Sequence, residues 1–173
     1  MPTIHLETFI RAPIETCFDL SRSVDVHMDS TNHTSERAIA GVTSGMMNLN
    51  DEVTWEATHF GLRQRLTSRI TAMERPRLFV DEMQRGAFKR WHHTHTFEPR
   101  EDGTLMIDVA DYASPLGLLG HIIDRLFLEN YMTRLLLVRN AHIKKIAEEA
   151  GNELTGMDRI DRIRKEKETF MHQ

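Results

Sequence analysis

The 173-residue chain predicts one α+β domain in which a curved antiparallel sheet closes on a long C-terminal helix, with two short helices after the first strand. Three observations predict it. Between residues 51 and 112, runs of alternating apolar and polar residues are separated by turn chemistry. From Ser114 to Glu149, apolar residues recur mostly at steps of three and four. The order is strand, two helices, meander and helix, so the sheet is antiparallel, with six or seven strands.

In chain order, Ile4, Leu6, Thr8 and Ile10 alternate with His5, Glu7, Phe9 and Arg11, which is a strand, and Pro13 ends it. Ile14, Cys17, Phe18 and Leu20 share a helical stripe, and a second short helix covers 24–30. Periodicity lapses over 31–36 and returns at 37–40. Strands are expected over 51–59, 63–73, 78–84, 88–97 and 105–112. Phe60-Gly61, Arg85-Gly86 and Glu101-Asp102-Gly103 separate them, with Gly86 expected at positive φ in a tight hairpin.

Ser114 suits an N-cap and Pro115 the first helical position. The expected buried stripe of the C-terminal helix is Leu119, Ile122, Ile123, Leu126, Tyr131, Leu135, Val138, His142 and Ile146. Lys144 and Lys145 suit its last turns, and Gly151 is its expected stop. Gly117 and Gly120 weaken its front, which places the entrance to any cavity between 116–123 and the loop after the second short helix, with Leu118, Leu119 and Ile122 as a gate. Residues 1–150 form the domain, and 151–173, dense in charge of both signs, form a tail helix for its own domain or a partner such as a second copy.

Composition narrows the function. With 22 basic against 26 acidic residues, the chain carries no nucleic-acid footprint. The single cysteine, Cys17, excludes an internal disulfide framework and lies on an apolar helix face, as an inert core thiol does. No apolar run reaches the roughly 20 residues that span a bilayer, and the N-terminus lacks a secretory pattern, so a cytoplasmic protein is expected. Glycine-rich phosphate loops, Cys-x-x-Cys, His-Glu-x-x-His and Gly-x-Ser-x-Gly are absent, so no cofactor is implied.

The sharpest local feature is the strand with Trp91, His93, His95 and Phe97 on one face and His92, Thr94 and Thr96 on the other. The following strand returns through Met106, Asp108, Ala110 and Tyr112. With Phe97 opposite Thr104, His93 falls opposite Asp108, and Asp81 approaches from the preceding strand. Three readings follow: a polar network in which a carboxylate fixes the imidazoles, the commonest use of such groups; recognition of a ligand's polar end; and metal binding or acid–base catalysis. Spacing alone identifies no third metal ligand and no nucleophile, so no metal and no catalytic residue are assigned. The inner-face Trp55, Leu66, Ile70, Trp91 and Phe97, with Leu119, Ile123 and Tyr131 from the helix, suit an apolar pocket.

These motifs resemble the SRPBCC superfamily of START, birch-pollen-allergen and polyketide-cyclase proteins over residues 3–150. The resemblance rests on the opening strand running into Ala12-Pro13-Ile14, on Phe79-x-Asp81-x-Met83-x-x-Gly86 followed by Trp91-x-His93-x-His95-x-Phe97, on Gly103-Thr104-x-Met106-x-Asp108-x-x-x-Tyr112, and on Arg139-x-x-x-Ile143-Lys144. Ala87 stands where the family often has proline. The resemblance implies a helix-grip fold with a cavity that takes a small apolar or amphipathic ligand, lipid or polyketide-like. A minority of the family are cyclases or hydrolases and others act as chaperone activators, so binding is the leading expectation, with enzymatic use of the His/Asp cluster and a protein-interaction module working through the charged tail or residues 116–119 as the alternatives.

Overall fold

A computed structural model describes residues 2–59, 61–113 and 127–170, with the backbone alone described for residue 33 and for 152–170. Seven strands form one antiparallel sheet in the order β1-β7-β6-β5-β4-β3-β2: β1 Thr3–Ile10, β2 Arg37–Gly41, β3 Glu52–His59, β4 Leu62–Glu74, β5 Leu78–Arg85, β6 Arg90–Arg100 and β7 Gly103–Ala113. Helices α1 (Ile14–Ser21) and α2 (Val24–Ser30) follow β1, and a long helix, α3 (Glu129–Phe170), closes the inner face. This is the predicted fold, a helix-grip arrangement. The expected gate, with Leu119 and Ile123, lies outside the described residues.

The strands form where period-two patterning demands them. In β7, Thr104, Met106, Asp108, Ala110 and Tyr112 are buried and their neighbours are not, a strict alternation against one core face. Bulges interrupt β2/β3 at Ala38–Ala40 and β4/β5 at Thr67–Ser68 and Ile70–Ala72. An extra residue on one strand bends it and raises the local twist, which is how the sheet curls. On the outer face, Arg63 and Arg65 pair with Glu56, and Arg69 with Glu52, so the basic stripe is a solvated cross-strand face.

Two turns differ from expectation. Gly86 does not take positive φ, because the β5–β6 connection spans residues 86–89 rather than a two-residue turn. Its lack of a side chain serves close approach instead: a Cβ there would lie 2.7 Å from Met83 Sδ. At the β6–β7 turn, Arg100 pairs with Gly103, so only Glu101 and Asp102 form the loop. A Cβ on Gly103 would meet the Ile10 carbonyl oxygen at 2.2 Å, so only glycine lets β7 start this close to the end of β1.

Helix α3 corrects two further expectations. Gly151 lies inside it rather than at its end, since the roughly 1 kcal/mol cost of one interior glycine does not break a helix continued on both sides. The buried face is also turned by about 100°, one residue, from the stripe expected. Leu136, Arg139, Asn140, Ile143 and Ala147 are buried, whereas Val138 is exposed and Leu135, His142 and Ile146 are only partly covered. A count of apolar residues assigns Arg139 and Asn140 to solvent, and the fold buries both because each has partners inside. The main core gathers Ile10, Phe18, Phe79, Phe97, Met106 and Ile143 at one end of the sheet, and a smaller one holds Ile4, Trp91, Tyr112 and Leu136.

Candidate functional site

Between the inner face of the sheet, α2 and the first turns of α3 lies a cavity of about 490 Å³. Its apolar wall includes Trp55, Leu66, Ile70, Trp91 and Leu136. Of the residues expected at the site, Trp55, Leu66, Ile70, Asp81, Trp91, His93, His95 and Tyr131 line this cavity. Phe97, Asp108 and Tyr112 do not. Phe97 packs edge-on against Phe18, Tyr112 lies against Trp91 and Phe88, and Asp108 is wholly buried under the imidazoles.

The inner-face register assembles a compact polar cluster. Asp81 of β5 pairs across from His93 of β6, and His95 of β6 pairs across from Asp108 of β7. The expected pairing of His93 with Asp108 is displaced by two residues, because the β6–β7 turn is shorter than assumed and both strands run further. A shift of two preserves the face, so the same four side chains still meet. His93 Nε2 lies 3.0 Å from Asp108 Oδ1, and Asn140 Nδ2 donates to Asp108 Oδ2 at 2.7 Å. His95 Nδ1 approaches Asp108 Oδ1 at 2.8 Å but off the direction of a ring N–H, so the contact is one of charge rather than an aligned hydrogen bond. On the opposite side of the two rings, Asp81 Oδ2 lies 3.4 Å from His95 Nε2 and 3.8 Å from His93 Nδ1.

Arg139 completes the cluster. Its guanidinium donates to the Ser21 carbonyl at 2.8 Å and lies 3.6 Å from Asp108 Oδ1. The two rings sit with centroids 3.8 Å apart, and His95 stacks on Phe79. Burial drives the His93 pKa below its usual value, with the His95 charge adding to it, against the pull of Asp108 and Asp81. Burial pushes the Asp108 carboxyl up, but hydrogen bonds and charge from His93 and His95 outweigh it and hold the acid well below the usual range. Asp81 is lowered in the same way, burial opposing and His95 foremost among the groups that win. Cys17 is fully buried and burial raises its pKa, the setting of a core thiol rather than of a nucleophile.

A second polar patch lies elsewhere on the cavity wall. His27 packs at a tilt against Trp55 and faces Glu36 at 3.4 Å, and His59 Nδ1 is 2.7 Å from the Tyr131 hydroxyl. The strands bearing His59 and His93, β3 and β6, are three strand spacings apart, about 14 Å across the sheet. Sequence reading missed His27, Glu36, His59 and Arg139 as lining residues; Glu36 and His59 sit in or beside irregular segments, where periodicity carries no signal, and His27 lies in α2, which at seven residues is too short to define an apolar stripe. Burial raises the Glu36 pKa, but the His27 ring and then His59 lower it further, to a net value below that of a free glutamate. A carboxyl whose folded pKa is depressed stabilises the fold above its unfolded pKa, about 4.3, and loses that contribution as pH falls through the folded value. Glu36→Gln is therefore expected to be less stable than the parent in urea at pH 7, with the gap closing towards pH 3. A gap unchanged over that range would rule out the pairing.

No family model matches this sequence, and no curated protein matches it. Solved structures do share its fold. A START superfamily protein from Mycobacterium smegmatis is 11% identical with a TM-score of 0.64, over 86% of this chain and 98% of that one. Ginseng major latex-like protein 151 from Panax ginseng is 13% identical with a TM-score of 0.60, over 84% and 97%. The di-domain ARO/CYC StfQ from the steffimycin biosynthetic pathway is 13% identical with a TM-score of 0.70, over 87% of this chain and 51% of that one. At these identities the likeness is one of fold, and it is the helix-grip fold of the SRPBCC proteins that the motifs resemble. Among the described residues, no helix is long and apolar enough to cross a membrane.

Proposed function

We propose that the protein binds a small amphipathic ligand of lipid or polyketide-like character between the sheet and α3. The observation that carries this reading is the cavity itself. At about 490 Å³ it falls within the range of small-molecule sites. Its wall is mainly apolar, and its polar groups converge in two patches, Asp81, His93, His95 and Arg139 in one and His27, Glu36, His59 and Tyr131 in the other. Apolar burial supplies the affinity in such a site, and a few fixed polar groups set orientation. The patches, on strands about 14 Å apart, suit a ligand with an oxygen function near each end. The fold shared with the START, latex-like and ARO/CYC proteins supports the same reading.

Native mass spectrometry of the purified protein tests it. A co-purifying adduct of a few hundred daltons, removed by organic extraction and restored by adding the extract back, is the expected result. A bare protein that also takes up no fatty acid, sterol or aromatic polyketide would sink the proposal.

A further inference from the structure

We propose that Asp81, His93 and His95 form a binding site for one divalent transition-metal ion, open to the cavity. This does not depend on the cavity holding an apolar ligand. One ligand atom from each of the three side chains lies within 4.8 Å of the other two. Spacing along β6 supplies only the two imidazoles; the register of β5 on β6 supplies the third ligand by setting Asp81 across from His93.

The orientation of the rings carries the argument. Each imidazole turns one nitrogen towards the buried carboxylate, His93 Nε2 at 3.0 Å and His95 Nδ1 at 2.8 Å from Asp108 Oδ1. Each turns the other nitrogen towards Asp81 Oδ2, His93 Nδ1 at 3.8 Å and His95 Nε2 at 3.4 Å. With its Nε2–H on Asp108, a neutral His93 presents the Nδ1 lone pair on the Asp81 side, and His95 Nε2, beside Asp81 Oδ2, faces the same side, so three potential ligand atoms converge there. Metal-bound histidines characteristically hand their outer N–H to a carboxylate, the position Asp108 holds for His93.

Distance and chemistry agree. Bonds of about 2.0–2.1 Å in a tetrahedral site put ligand atoms roughly 3.3 Å apart, so the observed separations need only small side-chain adjustments. Two imidazoles and one carboxylate favour zinc or ferrous iron over calcium or magnesium. Asp81 is 23% exposed while the imidazoles are nearly closed off, so the remaining coordination positions face the cavity. Two carboxylates balance a dication, and Arg139 then leaves one net positive charge, which favours an anionic oxygen at the open positions.

The test uses the full chain, stripped with chelator and dialysed, then titrated with zinc by calorimetry and with cobalt by visible absorption. One equivalent of each is expected, cobalt giving d–d bands of a low-coordinate site. Asp81→Asn and His95→Gln should each weaken zinc binding by at least tenfold, while His92→Gln, on the opposite face of β6, should leave it unchanged. Absence of zinc binding by the parent, a stoichiometry well above one, or an equal loss in the His92 variant would overturn the proposal. The parent's cobalt spectrum decides the matter even where a variant fails to fold.

Discussion

Replacing Asp108 with alanine is expected to destabilise the protein by about 3–5 kcal/mol, the cost of removing one partner from a buried charge network. Asp108 is wholly buried and serves two elements at once, accepting from His93 on β6 and from Asn140 on α3. Arg139, also on α3, lies 3.6 Å away, so this one carboxylate ties the long helix to the sheet through both an amide and a cation. Alanine strands the guanidinium charge in a site from which water is largely excluded, leaves an imidazole N–H without its acceptor and leaves the Asn140 amide only Thr8 Oγ1 at 3.3 Å. Total stabilities of 5–15 kcal/mol make that a third or more of the whole in most cases. Asp108→Asn keeps an acceptor and loses the charge, so it should fall between parent and alanine. Asp111→Ala, on the outer face of the same strand where the side chain pairs with Thr3, should cost no more than about 1 kcal/mol. Urea unfolding of the three variants checks the order. A loss below about 1 kcal/mol in Asp108→Ala would mean that apolar packing alone holds α3.

The contrast between what was legible and what was not has a physical origin in the same residues. The face of β6 was legible because Trp91, His93, His95 and Phe97 alternate, and alternation survives any even shift. The partner of each residue was not, since the pattern is unchanged when β7 slides by two. Only the turn sets that offset, and its shortness depends on Gly103 passing the Ile10 carbonyl, a contact remote in sequence. The face of α3 was misread for the opposite reason. Its stripe contains Arg139 and Asn140, which are buried because Asp108 and the Ser21 carbonyl wait for them. Hydropathy registers the cost of burying such groups but not the partners that offset it. The helix thus departs from simple patterning at the place where the cluster needs polar neighbours, as sites of function often do.

Tryptophan in place of Ala57 is expected to abolish ligand binding while leaving the fold nearly as stable as before. Ala57 is buried on the inner face of β3, on the cavity wall between Trp55 and His59, and an indole there can enter open space. Inserting volume into a filled core costs about 1–3 kcal/mol or more through forced rotamers and shifted backbone. Filling a cavity instead adds apolar contact, and strands tolerate aromatic residues well. Ala110→Trp is the matched control. Ala110 is wholly buried on the inner face of β7 but does not line the cavity, so its indole must displace packed neighbours. An anionic naphthalene fluorophore, apolar with one charged end, serves as the binding probe. Its affinity should fall at least tenfold in Ala57→Trp, with the unfolding free energy in urea within about 1 kcal/mol of the parent. Ala110→Trp should show the reverse weighting, with a loss of stability larger than that of Ala57→Trp. Equal destabilisation by the two substitutions would show that the space beside Ala57 is not open. Unchanged probe affinity in Ala57→Trp would place the binding site elsewhere on the molecule.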